Sequence, residues 1–193
     1  MERRKRCVWV ENQPDIYIKY HDEQWGVPVH DDRLLFAKLV LDGAQAGLSW
    51  LTILKKRESY FKAFDNFDIK TVAGYDERKI LELMQIPGIV RNKLKIESAV
   101  KNAASIVKIQ EEFGSFDSYL WGFTDNKTIQ NNFVEISEVP AKTQLSERIS
   151  KDMKNRGMNF VGPTIIYAYM QAIGMVNDHT LNCFRHKNLN NKI

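Results

Sequence analysis

The chain has 193 residues, 44% of them hydrophobic, with 28 Lys and Arg against 24 Asp and Glu, a net charge of +4 and a pI near 9.0. That length suits one domain, residues 1–193, and the modest basic excess permits contact with phosphates without demanding it. No run approaches ~18 consecutive apolar residues, and the basic start Met1 to Cys7 leads into no apolar stretch, so neither a membrane span nor a signal peptide is expected and a cytoplasmic location is.

In chain order the pattern is helical. Asp31 or Asp32 can cap a first helix carrying Leu34, Leu35, Leu39 and Val40. A second runs from Leu48 to Phe64. Asp76 can cap a third over Ile80 to Gln85, stopped by Pro87-Gly88. A long fourth carries Ile96, Val100, Ala103 and Val107 at helical spacing. Ser115-Phe116-Asp117 opens a short helix through Trp121, and residues 124–140 look like a loop. Leu145, Ile149 and Met153 mark a helix ending at Gly157, and Thr164 to Gly174 reads as a buried one. Strand-like alternation is scarce, and the tail Asn188 to Lys192 is expected to fray. The expected fold is all-α.

The two cysteines lie 176 positions apart, each accompanied by a histidine: Cys7 with His21, and His179 with Cys183. The second pair is spaced i, i+4, which on a helix puts both side chains on one face. Two thiolates and two imidazoles make a closed tetrahedral set for one structural Zn²⁺. Two buried free cysteines and unrelated surface histidines fit the same spacing.

Ile86 to Arg91 sits between two helices. The Pro sets the turn entry and the Gly is expected to supply φ > 0. The next helix begins with free N–H groups and the positive end of its dipole, and Arg91, Lys93 and Lys95 add charge, the form of a helix-hairpin-helix that grips a DNA phosphate. An ordinary Pro-Gly helix stop looks the same. Upstream, two glycines interrupt Leu41 to Trp50, so backbone there is expected to approach something closely. Asp42 precedes Trp50 by eight residues, while Tyr17, Tyr20 and Trp25 surround His21. Aromatic faces beside one carboxylate suit a flat cationic base, although core packing is the commoner use of such rings.

At this level of detail the chain resembles the 3-methyladenine DNA glycosylase I family. The resemblance is carried by Cys7-x-Trp9, by Tyr-x-x-Tyr-His-Asp-x-x-Trp-Gly-Val-Pro from Tyr17 to Pro28, and by Gln-Ala-Gly-Leu-Ser-Trp from Gln45 to Trp50. Further matches are Leu54 to Glu58, Arg156 to Gly162 and Val176 to His179. It implies a helix-hairpin-helix glycosylase fold in which zinc, bound by Cys7, His21, His179 and Cys183, joins the two ends. It implies catalytic positions at Asp42, Tyr20 and Trp50, and base contacts from Tyr17, Trp9, Trp25, Gln45 and Phe160. Gly47 and Leu48 match the turn that enters the duplex, and Gly88, Arg91 and Lys93 the phosphate grip. The implied partner is alkylated double-stranded DNA, the product is free 3-methyladenine, no membrane is involved, and a monomer is expected.

One departure matters. The family carboxylate is Glu, and Asp42 stands in its place, which withdraws the carboxylate by ~1.5 Å, one C–C bond. Ala44 replaces a polar residue of the family. N3-alkylation already makes the purine a good leaving group, so no strong general acid is required, and no carboxylate pair flanking the bond is evident. Between Arg91 and Phe113 only Glu97, Glu111 and Glu112 are acidic. No lysine stands out as a Schiff-base nucleophile, so a monofunctional enzyme is expected. Two rivals stay open: a damage binder that does not release the base, and a hydrolase with an open zinc site.

Overall fold

The structure, a computed structural model, describes residues 4–190. It is mostly helical. Ten α-helices and one pair of two-residue strands are present among the described residues. The helices are α1 (Asp15–Glu23), α2 (Asp32–Gln45), α3 (Trp50–Ala63), α4 (Ile69–Ala73), α5 (Glu77–Met84) and α6 (Lys93–Phe113), followed by α7 (Phe116–Trp121). Strand β1 (Ile129–Gln130) interrupts the expected loop, and α8 (Gln144–Asn155) and α9 (Pro163–Ala172) follow. Strand β2 (Val176–Asn177) pairs parallel with β1, and α10 (Phe184–Asn190) closes the chain. The expected fray therefore gives way to helix over 188–190, where Leu189 is buried; the rest of that tail, like Arg3 of the first basic cluster, lies outside the described residues.

Side-chain caps explain most of the helix starts. Asp31, Ser49, Asp68, Asp76, Asn92, Ser115 and Thr143 each accept from the backbone N–H three residues on, which stabilises a helix by about 1 kcal/mol per cap. Asp31, not Asp32, caps α2. Asp32 instead accepts from the Phe116 and Asp117 amides at 2.8 Å and from Gln110 Nε2 at 2.7 Å, joining the start of α2 to those of α7.

α2 is the centre of the fold. Leu35, Phe36, Ala37, Leu39, Val40, Leu41, Gly43 and Ala44 are all buried, so apolar side chains wrap nearly every face. α3, α6, α7 and α9 pack around it. A charged residue near its C-terminal end is consequently forced into the interior.

The α5–α6 turn holds a correction. Gly88 does not have positive φ. It is needed because a Cβ there would lie 2.5 Å from Ser59 Oγ and 2.6 Å from Ser59 Cβ on α3. Overpacking of this kind costs about 1–3 kcal/mol. Gly88→Ala is expected to lower the melting temperature by about 2–12 °C for a chain of this size, which a circular-dichroism melt would show.

Candidate active site

Residues from both halves of the chain meet around a cavity of about 400 Å³. Trp9, Tyr17, Tyr20 and Trp25 come from the N-terminal segment, Asp42 and Gln45 from α2, and Trp50 from the start of α3. The rings support one another: Trp9 meets Tyr17 edge-on at 5.5 Å and Trp25 at 5.0 Å, and Tyr20 lies 5.2 Å from Trp50. The far wall is α9, where Thr164, Tyr167, Ala168 and Gln171 form a stripe at i, i+3, i+4, i+7. The segment 136–141 covers one side.

Two polar atoms of the lining residues are unsatisfied. Asp42 Oδ2 and Trp50 Nε1 are buried and have no hydrogen-bond partner among the described residues. A buried polar atom without a partner costs about 1–3 kcal/mol, so such atoms usually await a ligand or water. One is an acceptor and the other a donor. Burial pushes the Asp42 carboxyl up to about 7, against the pull of the Lys38 charge. Burial, and then the Asp42 charge, push the Tyr20 hydroxyl well above its ordinary range, so it stays protonated.

The metal set converges beside this cavity. One donor atom from each of Cys7, His21, His179 and Cys183 lies within 4.8 Å of every other, and all four residues are buried. The Cys183 Sγ–His21 Nε2 distance is 3.5 Å, and both sulfurs lie 3.6 Å from His179 Nδ1. Tetrahedral zinc with bonds of about 2.3 Å to S and 2.0–2.1 Å to N puts neighbouring S and N donors about 3.5 Å apart. The remaining ring nitrogens are anchored, His21 Nδ1 by Asp22 at 2.8 Å and His179 Nε2 by the Trp25 carbonyl at 3.1 Å. Arg6 grips Asp22 in turn at 2.8 Å. The contact with Cys183, then burial, pushes the Cys7 thiol up, and the same contact pulls the Cys183 thiol down. The i, i+4 spacing of His179 and Cys183 is carried by a turn before α10, not by a helix.

Cluster and cavity share walls. Trp9 packs 5.1 Å from the His21 ring, and Trp25 4.6 Å from the His179 ring. On the α9 side, Tyr167 and Gln171 donate to Asp178 at 2.7 and 2.8 Å, directly before His179.

The relatives now bear on this geometry. The sequence pattern of the methyladenine glycosylase family matches residues 9–186. The chain belongs to this family. Among methyladenine glycosylases, it is 44% identical over 178 residues to the DNA-3-methyladenine glycosylase of Haemophilus influenzae, covering 92% of this chain and 96% of that one. It is 42% identical over 179 residues to DNA-3-methyladenine glycosylase 1 of Escherichia coli K12, covering 93% and 95%. A structure of 3-methyladenine DNA glycosylase I from Staphylococcus aureus, solved for 3-methyladenine recognition, superposes with a TM-score of 0.90 at 35% identity, covering 93% and 95%.

Other expected site residues lie elsewhere. Phe160 does not line the cavity. Its backbone has φ 54°, and it packs behind α2, where a Cβ on Gly43 would meet Phe160 Cβ at 3.3 Å. That contact is the close approach the glycine pattern demands. Gly47 ends α2 with φ 76°, and Leu48 beyond it is 41% exposed. Arg91 is exposed at the α5–α6 turn, while Lys93 is paired with Glu77 at 2.7 Å and Glu97 at 3.8 Å. Lys95 Nζ turns away from solvent and donates to the carbonyls of Ala44 at 2.8 Å and Ala46 at 2.6 Å, clamping the end of α2. The α9 stripe and segment 136–141 escaped sequence reasoning, although Tyr167 and Gln171 stand out as polar groups at i, i+4 on an apolar helix.

Proposed function

We propose that this chain is a monofunctional DNA glycosylase that hydrolyses the N-glycosidic bond of 3-methyladenine in alkylated double-stranded DNA. The observation that carries the reading is the pair of buried, unpartnered atoms, Asp42 Oδ2 and Trp50 Nε1, on two residues that line an aromatic cavity. An N3-alkylated adenine is flat and positively charged. Tyr20, Trp50 and their neighbours offer π-faces to it, and Asp42 offers the opposite charge. The base enters by rotating out of the duplex, with Gly47 and Leu48 filling the gap it leaves and the α5–α6 turn holding the backbone as a helix-hairpin-helix.

Alkylation has already made the base a good leaving group. The C1′–N9 bond breaks towards a neutral purine, and water attacks the oxocarbenium-like sugar. Asp42 binds and orients the cation; Tyr20, kept protonated, adds a donor and a ring. The four-residue donor set fits Zn²⁺, which when bound is structural because no coordination position is left for water. Among the described residues that line the cavity there is no lysine to act as a Schiff-base nucleophile, which supports base release without strand cleavage.

The direct test is release of free 3-methyladenine from methylated duplex DNA, with 7-methylguanine followed in the same digest. Selective, multiple-turnover release of 3-methyladenine is expected. No release by the folded, zinc-loaded protein would overturn the reading in favour of a damage binder.

The charge on Asp42 also sets a pH dependence. Burial raises its carboxyl to about 7. Above that value the carboxylate is anionic and attracts the permanently cationic base; below it, protonation removes the attraction. The kcat/KM for excision should therefore fall on the acid side, approaching about tenfold per pH unit below a midpoint near 7. A profile flat from pH 5.5 to 8 (roughly the range where an ordinary Asp stays ionised) would remove Asp42 from base binding.

A further inference from the structure

A second cavity, of about 650 Å³, lies behind the first and shares Tyr20 and Trp50 with it. Lys38 lines it, half-buried among apolar side chains. Lys38 stands one helical turn before Asp42 on α2, so the two side chains leave the same face of the helix. Its Nζ donates to the carbonyl of Ala172 at 3.0 Å. Ala172 is the last residue of α9, and the negative end of a helix dipole favours an ammonium there. The ammonium is thus held by the end of α9, one helical turn from Asp42 on α2.

Among the other charges around Lys38, the Arg57 guanidinium also disfavours the Lys38 ammonium, though it is not among the groups that act on Asp42. Arg57 of α3 spends its Nη1 on Gln24 Oε1 at 2.6 Å. Glu23 of α1 and Glu58 and Lys62 of α3 line the same cavity but are exposed, so solvent screens them. Asp42 has no hydrogen bond to its Oδ2 that would favour the ionised form. Its environment otherwise favours the neutral acid, because desolvation penalises the anion.

We propose that Lys38 is a positioning residue, the buried counter-charge that keeps Asp42 anionic at the wall of the base cavity. The directions agree: burial draws Asp42 up to about 7 and Lys38 down to about 8, and each group opposes the shift of the other. Lys38 touches neither base nor sugar. It acts through the charge of Asp42 across the Tyr20 and Trp50 partition. The consequence for excision rests on Asp42 holding the base, whereas the coupling of the two charges belongs to the free protein.

Lys38→Met keeps the length and apolar character of the stem and removes the charge; Lys38→Arg keeps the charge. The readouts are the ¹³C-carboxyl titration of Asp42 in the free, zinc-loaded protein, assigned against Asp42→Asn, and the pH profile of kcat/KM for 3-methyladenine excision. In Lys38→Met the Asp42 midpoint is expected to rise by about one pH unit, with excision at pH 7 about fivefold lower and regained at higher pH. Lys38→Arg is expected to restore both. Lys38→Gln carries the same comparison if Lys38→Met does not fold. An Asp42 midpoint unmoved in the neutral variants overturns the proposal. A midpoint that rises while the excision profile stays put supports the counter-charge and overturns base binding by Asp42 instead.

Discussion

Cys183→Ser is expected to lower the melting temperature of the zinc-loaded protein by about 20 °C or more and to abolish zinc binding, because structural zinc sites contribute about 10 kcal/mol or more and a chain of this size loses about 2–4 °C per kcal/mol. The effect should not stop at the ends of the chain. The His21 and His179 rings pack against Trp9 and Trp25, and Trp25 also lends its carbonyl to His179. Loss of the cluster therefore loosens one aromatic wall of the base cavity. Excision should fall through weaker base binding, with KM affected more than kcat. Tryptophan fluorescence and zinc analysis on the same sample would follow both events. An unchanged melt with no metal bound would show that hydrogen bonds among the four residues suffice.

Asp42→Asn should lower kcat/KM for 3-methyladenine by about 10²-fold, since a hydrogen bond to a charged group is worth about 1.5–3 kcal/mol and the ionic attraction goes with it. The amide has the same shape, so the fold should hold and the acid limb near pH 7 should vanish. Asp42→Glu is the informative partner. It extends the carboxylate by one C–C bond, ~1.5 Å, into a cavity that already contains an unpartnered oxygen. Asn with full activity would contradict the role assigned to Asp42, whatever the Glu variant does.

Much of this site was legible because its signals are local. Capping residues such as Asp76 and Ser115 announce helices that the structure contains. Cys7, His21, His179 and Cys183 were readable as a possible donor set from residue type and spacing, beside the alternative of free cysteines and unrelated histidines, and they do meet. What stayed hidden depends on contacts distant in sequence. Gly88 looks like a residue chosen for its dihedral freedom, yet Ser59 of α3 is what forbids a side chain there. The β1–β2 pair is too short to show alternation. The Tyr167 and Gln171 wall is masked by the apolar residues of α9, and only the position of Asp178 reveals which face is turned to the cavity. Phe160 was placed in the wall by its neighbours in sequence, but its left-handed backbone sends it behind α2.

The convergence of Cys7 and Cys183 also bears on connectivity. Because the two ends of the fold are gathered at one point, the order in which the chain visits its helices is nearly cyclic. A break at the exposed Asp125-Asn126 turn would cut no helix and would leave Cys7 and Cys183 side by side at the donor cluster. With Cys7 and Cys183 brought together, the fold is of the kind that tolerates circular permutation.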